Sequence, residues 1–232
     1  MTNFGLLAQQ AAQRTRGYWL LSRLFLEVPT VPMLLEIQSS MGDEQKEPLP
    51  PEMLTLLDAI NGALLSPTEA AIAYTRHLSL GDKRSEEPLP YESHVREGQL
   101  PGVCTSQVEA MMQAMGYGNV APEATSPDHL GSELRFMSLL CHEEHEAWLG
   151  SDSPAAGRSL SNQRRFLTEH LSMWAPDYCG GLASRSTDVY LISIARLARH
   201  VILDDVAALD EICQWIVPEA QVTDATKVDP TH

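Results

Sequence analysis

The sequence predicts an all-α protein, folded as one globular bundle of about nine to eleven helices. Apolar residues recur every three or four positions along most of the chain, and proline and glycine fall between these runs. No segment alternates apolar and polar residues as a strand would. Hydrophobic residues make up 44% of the 232 residues, which is ample for a core. We therefore expect a single domain over residues 1–218, followed by a polar tail over residues 219–232.

Four helices are predicted in the first third of the chain. The first carries an apolar stripe that ends at Val28-Pro29, the second is short and closes at Gly42, and the third is entered through Pro50-Pro51. The segment Ser66-Pro67-Thr68-Glu69 has the pattern of a capping box with proline at the first helical position. The fourth helix should therefore begin there and run to about Leu80.

A long connection, one helix and a linker should follow. Residues 81–102 combine charged residues with three prolines and lack helical periodicity, and long ordered loops are often functional. Helical periodicity returns over residues 103–115. The segment 116–125 contains two glycines and a proline, so it is predicted to be a linker and a candidate hinge between two subdomains.

Four further helices are predicted in the second half. The first should begin at Ser126, a good N-cap, with Pro127 at the first helical position and Asp128 in the first turn, where the helix dipole favours an anion. The second should end at Ala175-Pro176. Two more helices are indicated by two sets of apolar residues at helical spacing: Tyr190, Ile194, Leu197 and Val201, then Val206, Leu209, Ile212, Cys213 and Ile216.

The chain is strongly acidic, with 31 acidic against 16 basic residues and a net charge of −15 spread through both halves. Such a field repels nucleic acid and anionic membranes and attracts basic partners, although an ordinary soluble acidic surface explains the composition equally well. There is no secretory pattern at the N-terminus and no apolar run near the ~18 residues of a membrane helix. We expect a cytoplasmic protein that does not insert directly into a membrane.

The four cysteines have neither zinc-binding nor redox spacing. Cys104, Cys141, Cys179 and Cys213 lie within or beside apolar stretches and form no C-x-x-C motif. They are therefore predicted to be free, buried thiols in a reducing compartment.

Residues 141–146 form the most metal-like cluster in the chain. His142 and His145 are three residues apart and could share a helix face, but a zincin motif needs histidines four residues apart. A solvated charged face is the favoured interpretation, and a metal-dependent hydrolase built on His142 and His145 is the alternative. The sequence contains no phosphate loop, dinucleotide fingerprint or nucleophile elbow, so no catalytic residue and no metal ligand are assigned.

Two places in the chain suggest recognition. Asp128 and His129 put an acid and an imidazole at the mouth of a predicted helix, where they could bind a partner or, alternatively, stabilise the helix end and pack on the long loop. Tyr91, in the proline-rich loop, could grip a peptide or simply plug the loop onto the bundle. Four other aromatic residues are more typical of core than of a groove: Tyr18, Trp19, Phe25 and Trp174.

Three segments resemble the TorD/DmsD/NarJ family of chaperones, which mature molybdenum oxidoreductases. Ser126–Met137 carries the Pro-Asp-His, Glu-Leu and Phe-Met pattern of that family, Pro90–Ser93 resembles its Pro-aromatic-Glu-Ser segment, and Phe166–Pro176 resembles its Phe, His-Leu, Trp and Pro pattern. Their order and spacing agree, and the likeness runs from about Gln9 to Val217.

The resemblance implies a TorD/DmsD-like helical fold and a binding function without catalysis. The implied partner is the catalytic subunit of a molybdenum oxidoreductase, held through its N-terminal or twin-arginine leader while the cofactor is inserted, before export or membrane docking. It implies no resident cofactor, beyond a weak guanine nucleotide or a transient molybdopterin contact, and a monomer able to form a domain-swapped dimer. Glu133 could instead hold the loop by hydrogen bonds. The residues predicted to bind the leader are Tyr91, Glu92, Ser93, Pro127, Asp128, His129 and Glu133.

Overall fold

The computed structural model describes residues 4–43, 50–79 and 88–216, and these residues form ten α-helices with no strand. This confirms the predicted all-α class. The predicted tail over residues 219–232 and the side chain of Cys213 lie outside the described part of the chain. The helices are α1 (Phe4–Leu26), α2 (Val31–Asp43), α3 (Pro51–Leu65), α4 (Pro67–Tyr74), α5 (Glu92–Glu97), α6 (Val103–Ala114), α7 (Leu130–Leu149), α8 (Ser153–Phe166), α9 (Ser172–Arg185) and α10 (Val189–Ile216).

The centre of the fold is the pair α1 and α7, which pack against each other more extensively than any other two described helices. Gly131, in the first turn of α7, allows this approach, because a Cβ built there would overlap the side chain of Leu26. α8, α9 and α10 close the bundle around this pair. Its largest buried side chains are aromatic: Tyr18, Phe25, Phe136, Phe166, Trp174 and Tyr190.

The aromatic and cysteine predictions are mostly confirmed. Three of the four aromatics expected in the core are buried, whereas Trp19 is 45% exposed and lies against the guanidinium of Arg135, whose carbon is 4.6 Å from the ring centroid. Three of the four cysteines are free and buried: Cys104, Cys141 and Cys179. Among the described residues, none of the helices is both long enough and apolar enough to cross a bilayer.

Helix α4 begins at Pro67 as predicted, but the capping box does not form. The Ser66 side chain accepts no hydrogen bond from the helix, so proline at the first helical position marks the start by itself. A π-helical turn over Thr75–Ser79 continues α4.

Helix α5, over Glu92–Glu97, lies inside the segment predicted to be a loop. It ends at Gly98, which adopts a left-handed conformation with φ 71°. Six residues are too few for helical periodicity to show in the sequence.

Helix α7 begins at Leu130, so the prediction of a start at Ser126 is wrong. Ser126 to His129 form a turn in which the His129 N–H donates to the Ser126 carbonyl at 3.2 Å. His129 is the N-cap, and its Nδ1 accepts from the Gly131 N–H at 3.1 Å. Pro127 and Asp128 therefore precede the helix, and the carboxylate of Asp128 is free to serve another element.

Two predicted helix ends are also wrong. The helix that should end at Ala175-Pro176 continues from α8 through a π-helical turn, Leu167–Leu171, into α9, and Pro176 lies inside α9. The proline is tolerated just after a turn that has already interrupted the regular α-helical bonding. The two helices predicted after residue 189 are one, because Asp205 caps no helix and its carboxylate binds Arg14 and Tyr18.

The segment between α6 and α7 is fastened to α7. Tyr117 donates its hydroxyl to Glu143 Oε1 at 2.6 Å, and its ring lies edge-to-face on Phe136 with centroids 5.4 Å apart. Gly116 has φ 88°, a conformation that favours glycine. The hinge placed at residues 116–125 stays a prediction.

Candidate functional site

The first two family-like segments meet in space through an antiparallel β-bridge. The Glu92 N–H donates to the Asp128 carbonyl at 2.9 Å, and the Leu130 N–H donates to the Pro90 carbonyl at 2.8 Å. Tyr91 and His129 face each other in the middle, with their rings edge-to-face and 4.9 Å between centroids. The bridge fixes the entry into α5 against the start of α7.

Asp128 is the cap of α5 and not of its own helix. Its buried carboxylate accepts from the Ser93 N–H at 3.0 Å through Oδ2 and from the Ser126 hydroxyl through Oδ1. Glu92 and Ser93 are the first two residues of α5, so the backbone and side chain of Asp128 together satisfy two N–H groups that have no helical partner. The expectation that Asp128 stabilises the start of its own helix is wrong, because Asp128 precedes α7 and its hydrogen bonds go to the first residues of α5.

His129 is buried and neutral. Burial lowers the pKa of its imidazole to about 4, and the nearby Asp128 charge opposes this shift without cancelling it. Because Nδ1 accepts a hydrogen bond, the proton of the neutral ring belongs on Nε2. His129 therefore caps α7 and packs edge-to-face against the ring of Tyr91.

Glu92 connects α5 to the third family-like segment. Its carboxylate is fully buried, with Oε2 at 2.9 Å from His170 Nδ1 and Oε1 accepting from Arg96, one turn further along α5. His170 lies in the π-helical turn before α9. Sequence reasoning missed both partners. The only available signals were the four-residue spacing of Glu92 and Arg96 and the place of His170 in the third segment.

Glu133 is buried beneath this bridge with an incomplete set of hydrogen bonds. Oε2 accepts from the Trp174 indole N–H at 3.1 Å, whereas Oε1 has no hydrogen-bond partner among the residues that the structure describes. Burial raises the pKa of this carboxyl well above its ordinary value, and the negative charge of Glu92 adds to the effect. The burial of Glu133 therefore disfavours its ionised form. Glu133 contacts Trp174 in α9 and not the loop that it was predicted to hold.

The remaining predicted site residues divide between the interior and the surface. Ser93 is buried and accepts from the Thr105 hydroxyl at 3.2 Å. Tyr91 is half-buried, with its hydroxyl 2.7 Å from Thr125 Oγ1, and Pro127 is also partly exposed. We call the buried group Glu92, Asp128, His129, Glu133 and His170 the motif cluster. Of the seven predicted residues, only Tyr91 and Pro127 present appreciable surface.

The metal-like segment does not form a metal site. His142 is exposed, and His145 Nδ1 lies 2.8 Å from the carbonyl oxygen of Ala8. Glu144 points the other way, into the core, where it accepts from Arg14 and Trp148. No three histidine, cysteine or acidic side chains are placed to share a metal ion within residues 4–43, 50–79 and 88–216. The hydrolase alternative therefore has no support.

Comparison with known proteins agrees with this assembly of segments. The family model described as "Nitrate reductase delta subunit" matches residues 44–180, which contain all three family-like segments. "Chaperone protein TorD" of Vibrio cholerae serotype O1 strain El Tor Inaba N16961 is 28% identical over 219 residues, covering 87% of this chain and 94% of the relative. "Chlorate reductase assembly chaperone protein" of Ideonella dechloratans is 38% identical over 65 residues, covering 28% of this chain and 33% of the relative. The match extends over more than half of the sequence, and the chain belongs to the nitrate reductase delta subunit family.

Proposed function

We propose that the protein is a system-specific assembly chaperone for the catalytic subunit of a molybdenum oxidoreductase, and not an enzyme. The family match over residues 44–180 carries this proposal, and relatives named as a TorD chaperone and a chlorate reductase assembly chaperone support it. Such a chaperone holds the immature subunit until the cofactor is inserted. No cofactor of its own is needed for that function.

The arrangement of the motif cluster suits recognition better than catalysis. The carboxylates of Glu92 and Asp128 are occupied by hydrogen bonds, and Nδ1 of His129 is occupied by the Gly131 N–H. These contacts hold α5 and the Tyr91 segment in one conformation against α7 and α9. A shaped surface prepared in this way lowers the entropic cost of binding a partner.

We further propose that the leader of the client binds beside Tyr91 and Pro127. A twin-arginine leader has a basic stretch followed by an apolar one. Net charge of −15 favours encounter with the basic part, and the half-buried Tyr91 ring offers apolar surface with a hydroxyl tip to the other part. In this proposal the buried residues of the cluster position the surface, and Tyr91 and Pro127 touch the leader.

Calorimetry with a basic-plus-apolar leader peptide tests the proposal. We expect micromolar or better affinity that weakens as salt is raised. Tyr91→Ala should weaken binding by about tenfold, since it removes a large anchoring ring. Tyr117→Ala is the matched control, because Tyr117 is also partly exposed and hydrogen-bonded but belongs to the linker. Absence of binding to any molybdoenzyme leader or N-terminal segment would refute the leader proposal.

A further inference from the structure

A groove of about 410 Å³ lies between α3 and α10, on residues that none of the family-like segments contains. Its lining from α10 extends from Ser193 to Asp204, which corresponds to roughly 16 Å along the helix axis. An extended peptide covers this length with about five residues. The groove is thus long for a small ion and well matched to a short peptide segment.

Two arginines that line this groove form no ion pair with another described residue. Arg196 and Arg199 are exposed, one turn apart, and neither forms an ion pair or a hydrogen bond with another described residue. By contrast, Arg14, Arg23 and Arg164 are each paired with carboxylates. What distinguishes Arg196 and Arg199 is their position, because they lie one turn apart on α10 and line the same groove of a strongly acidic protein.

A buried serine lies on the floor of the groove. Ser193 is 4% exposed and lines the groove. A serine hydroxyl at this place can donate a hydrogen bond to an incoming acceptor. Apolar surface from Pro51, Leu197 and Leu203 lies beside it.

The two acids on the same groove lie beside His200. Its Nε2 is 3.2 Å from Asp204 and 3.7 Å from Glu52, and neither carboxylate forms an ion pair with Arg196 or Arg199. The groove therefore has one cationic part at Arg196 and Arg199 and one acidic part around His200.

We propose that the α3–α10 groove docks an acidic segment of a protein partner in extended conformation. Two carboxylates two positions apart would meet the guanidinium groups of Arg196 and Arg199, because alternate side chains of an extended peptide point to the same side at about 7 Å spacing. An uncharged apolar residue of the segment would pack on Leu197 and Leu203. This surface has the opposite charge preference to the leader site and is separate from it.

Fluorescence anisotropy tests the proposal with a labelled eight-residue peptide that carries two glutamates two positions apart among leucine and alanine. The double variant R196E/R199E should weaken binding at least about tenfold. The double variant R76E/R158E is the matched control, since it makes the same charge change on two exposed arginines that do not line the groove and form no ion pair with another described residue. It should bind within about twofold of the parent. A peptide with glutamine in place of both glutamates should not bind.

Two further measurements make the result decisive. Ser193→Ala should weaken the acidic peptide a few-fold while leaving the leader peptide unaffected, so that failure of one site is distinguishable from failure of the other. Circular dichroism establishes that each variant is folded. The proposal is wrong if the peptide does not bind, or if both double variants bind it equally. Binding of inorganic phosphate with the same arginine dependence, without binding of the peptide, would make the groove a small-anion site and would also overturn the proposal.

Discussion

The network around Arg14 and the motif cluster around Glu92 are both buried and polar, but they differ in how completely their carboxyl oxygens are hydrogen-bonded. Arg14 donates to Asp205 at 2.6 Å and to Glu144 at 2.9 Å, and the Tyr18 hydroxyl donates to Asp205 at 2.8 Å. Trp148 and Gln163 complete the bonding of Glu144. One cation with two fully bonded carboxylates ties α1, α7, α8 and α10 together.

The motif cluster is less completely bonded. Glu92 and Asp128 are buried acids, Arg96 is 33% exposed, and burial together with the Glu92 charge raises the pKa of Glu133. One oxygen of Glu133 has no hydrogen-bond partner among the described residues. In the Arg14 network both carboxylates are fully hydrogen-bonded, so the network holds the helices together and serves structure alone. The motif cluster instead retains Glu133 Oε1 without a hydrogen bond, in the part of the fold that supports the surface proposed to bind the client.

Breaking the Arg14 network should have the largest effect. Arg14→Met leaves Asp205 and Glu144 buried without their cation, and should lower the free energy of unfolding by about 3–5 kcal/mol. Arg23→Met is the matched control, because its partners Glu27 and Glu36 remain in contact with water, and should cost less than about 1 kcal/mol. Urea denaturation measures both. Equal losses would show that the network is no more important than a surface ion pair.

The pH dependence of stability should have opposite slopes for two residues of the motif cluster. The folded pKa of His129 is about 4, so acidification from pH 6.5 to 4 protonates the unfolded histidine first and destabilises the native state by about 1.4 kcal/mol per unit of pKa difference. The raised pKa of Glu133 acts in reverse, because its contribution is present below the ordinary pKa and is lost as pH rises toward the folded pKa.

Two variants separate these slopes. His129→Asn keeps a good N-cap side chain and should reduce the loss of stability between pH 6.5 and 4. Glu133→Gln should raise stability more at pH 8 than at pH 5, since a neutral amide replaces a carboxyl that is costly to ionise. Denaturation midpoints across pH 4–8 measure both effects. Parallel curves for the parent and both variants would contradict the assigned charge states.

Asp128→Asn should have a moderate effect. It weakens the cap of α5, so the free energy of unfolding should fall by about 1–2 kcal/mol, and leader binding should weaken because the Tyr91 segment is less well held. Asp152→Asn is a matched control, because Asp152 caps α8 through the Ala155 N–H at 2.9 Å on the exposed surface. Weakened binding with unchanged stability would instead show that Asp128 contacts the client directly.

Substitutions in the linker, residues 116–125, should change stability least. They test whether the parts of the chain before and after the linker can exchange between two subunits. Arg14 in α1 pairs with Asp205 in α10, so a domain swap at residues 116–125 would place these partners in different subunits. Gly116→Ala strains the left-handed backbone at φ 88° by about 1 kcal/mol, and a straightened linker relieves that strain. We expect mainly monomer in the parent and more dimer in Gly116→Ala.

Light scattering on fresh and stored samples measures the ratio of monomer to dimer. Gly118→Ala is the control, since Gly118 has no left-handed backbone and a Cβ there meets no neighbour. If the ratio does not change with the Gly116 substitution, concentration or time, the linker is an ordinary loop.

Sequence reasoning succeeded where the signal was local. The apolar stripe of α1 and the prolines before α3 and α4 located those helices, because periodicity and proline geometry depend on neighbouring residues. It failed at Ser126, at Pro176 and within α10. At Ser126 and within α10 the local signal was overridden by contacts from distant segments, such as that of Arg14 with Asp205 across 191 positions. At Pro176 it was overridden by the π-helical turn just before α9.

The sequence by itself determined the all-α class, the acidic charge and the three segments that indicate the family. It also selected five of the residues that the structure buries together around α5, without showing that they are buried. Only the tertiary structure decided that Asp128 caps α5, that His170 and Arg96 hold Glu92, and that Glu133 is buried against Trp174 with a raised pKa. The physical reason is that burial and long-range hydrogen bonds depend on which segments pack together. Local residue types and spacing do not reveal which segments these are.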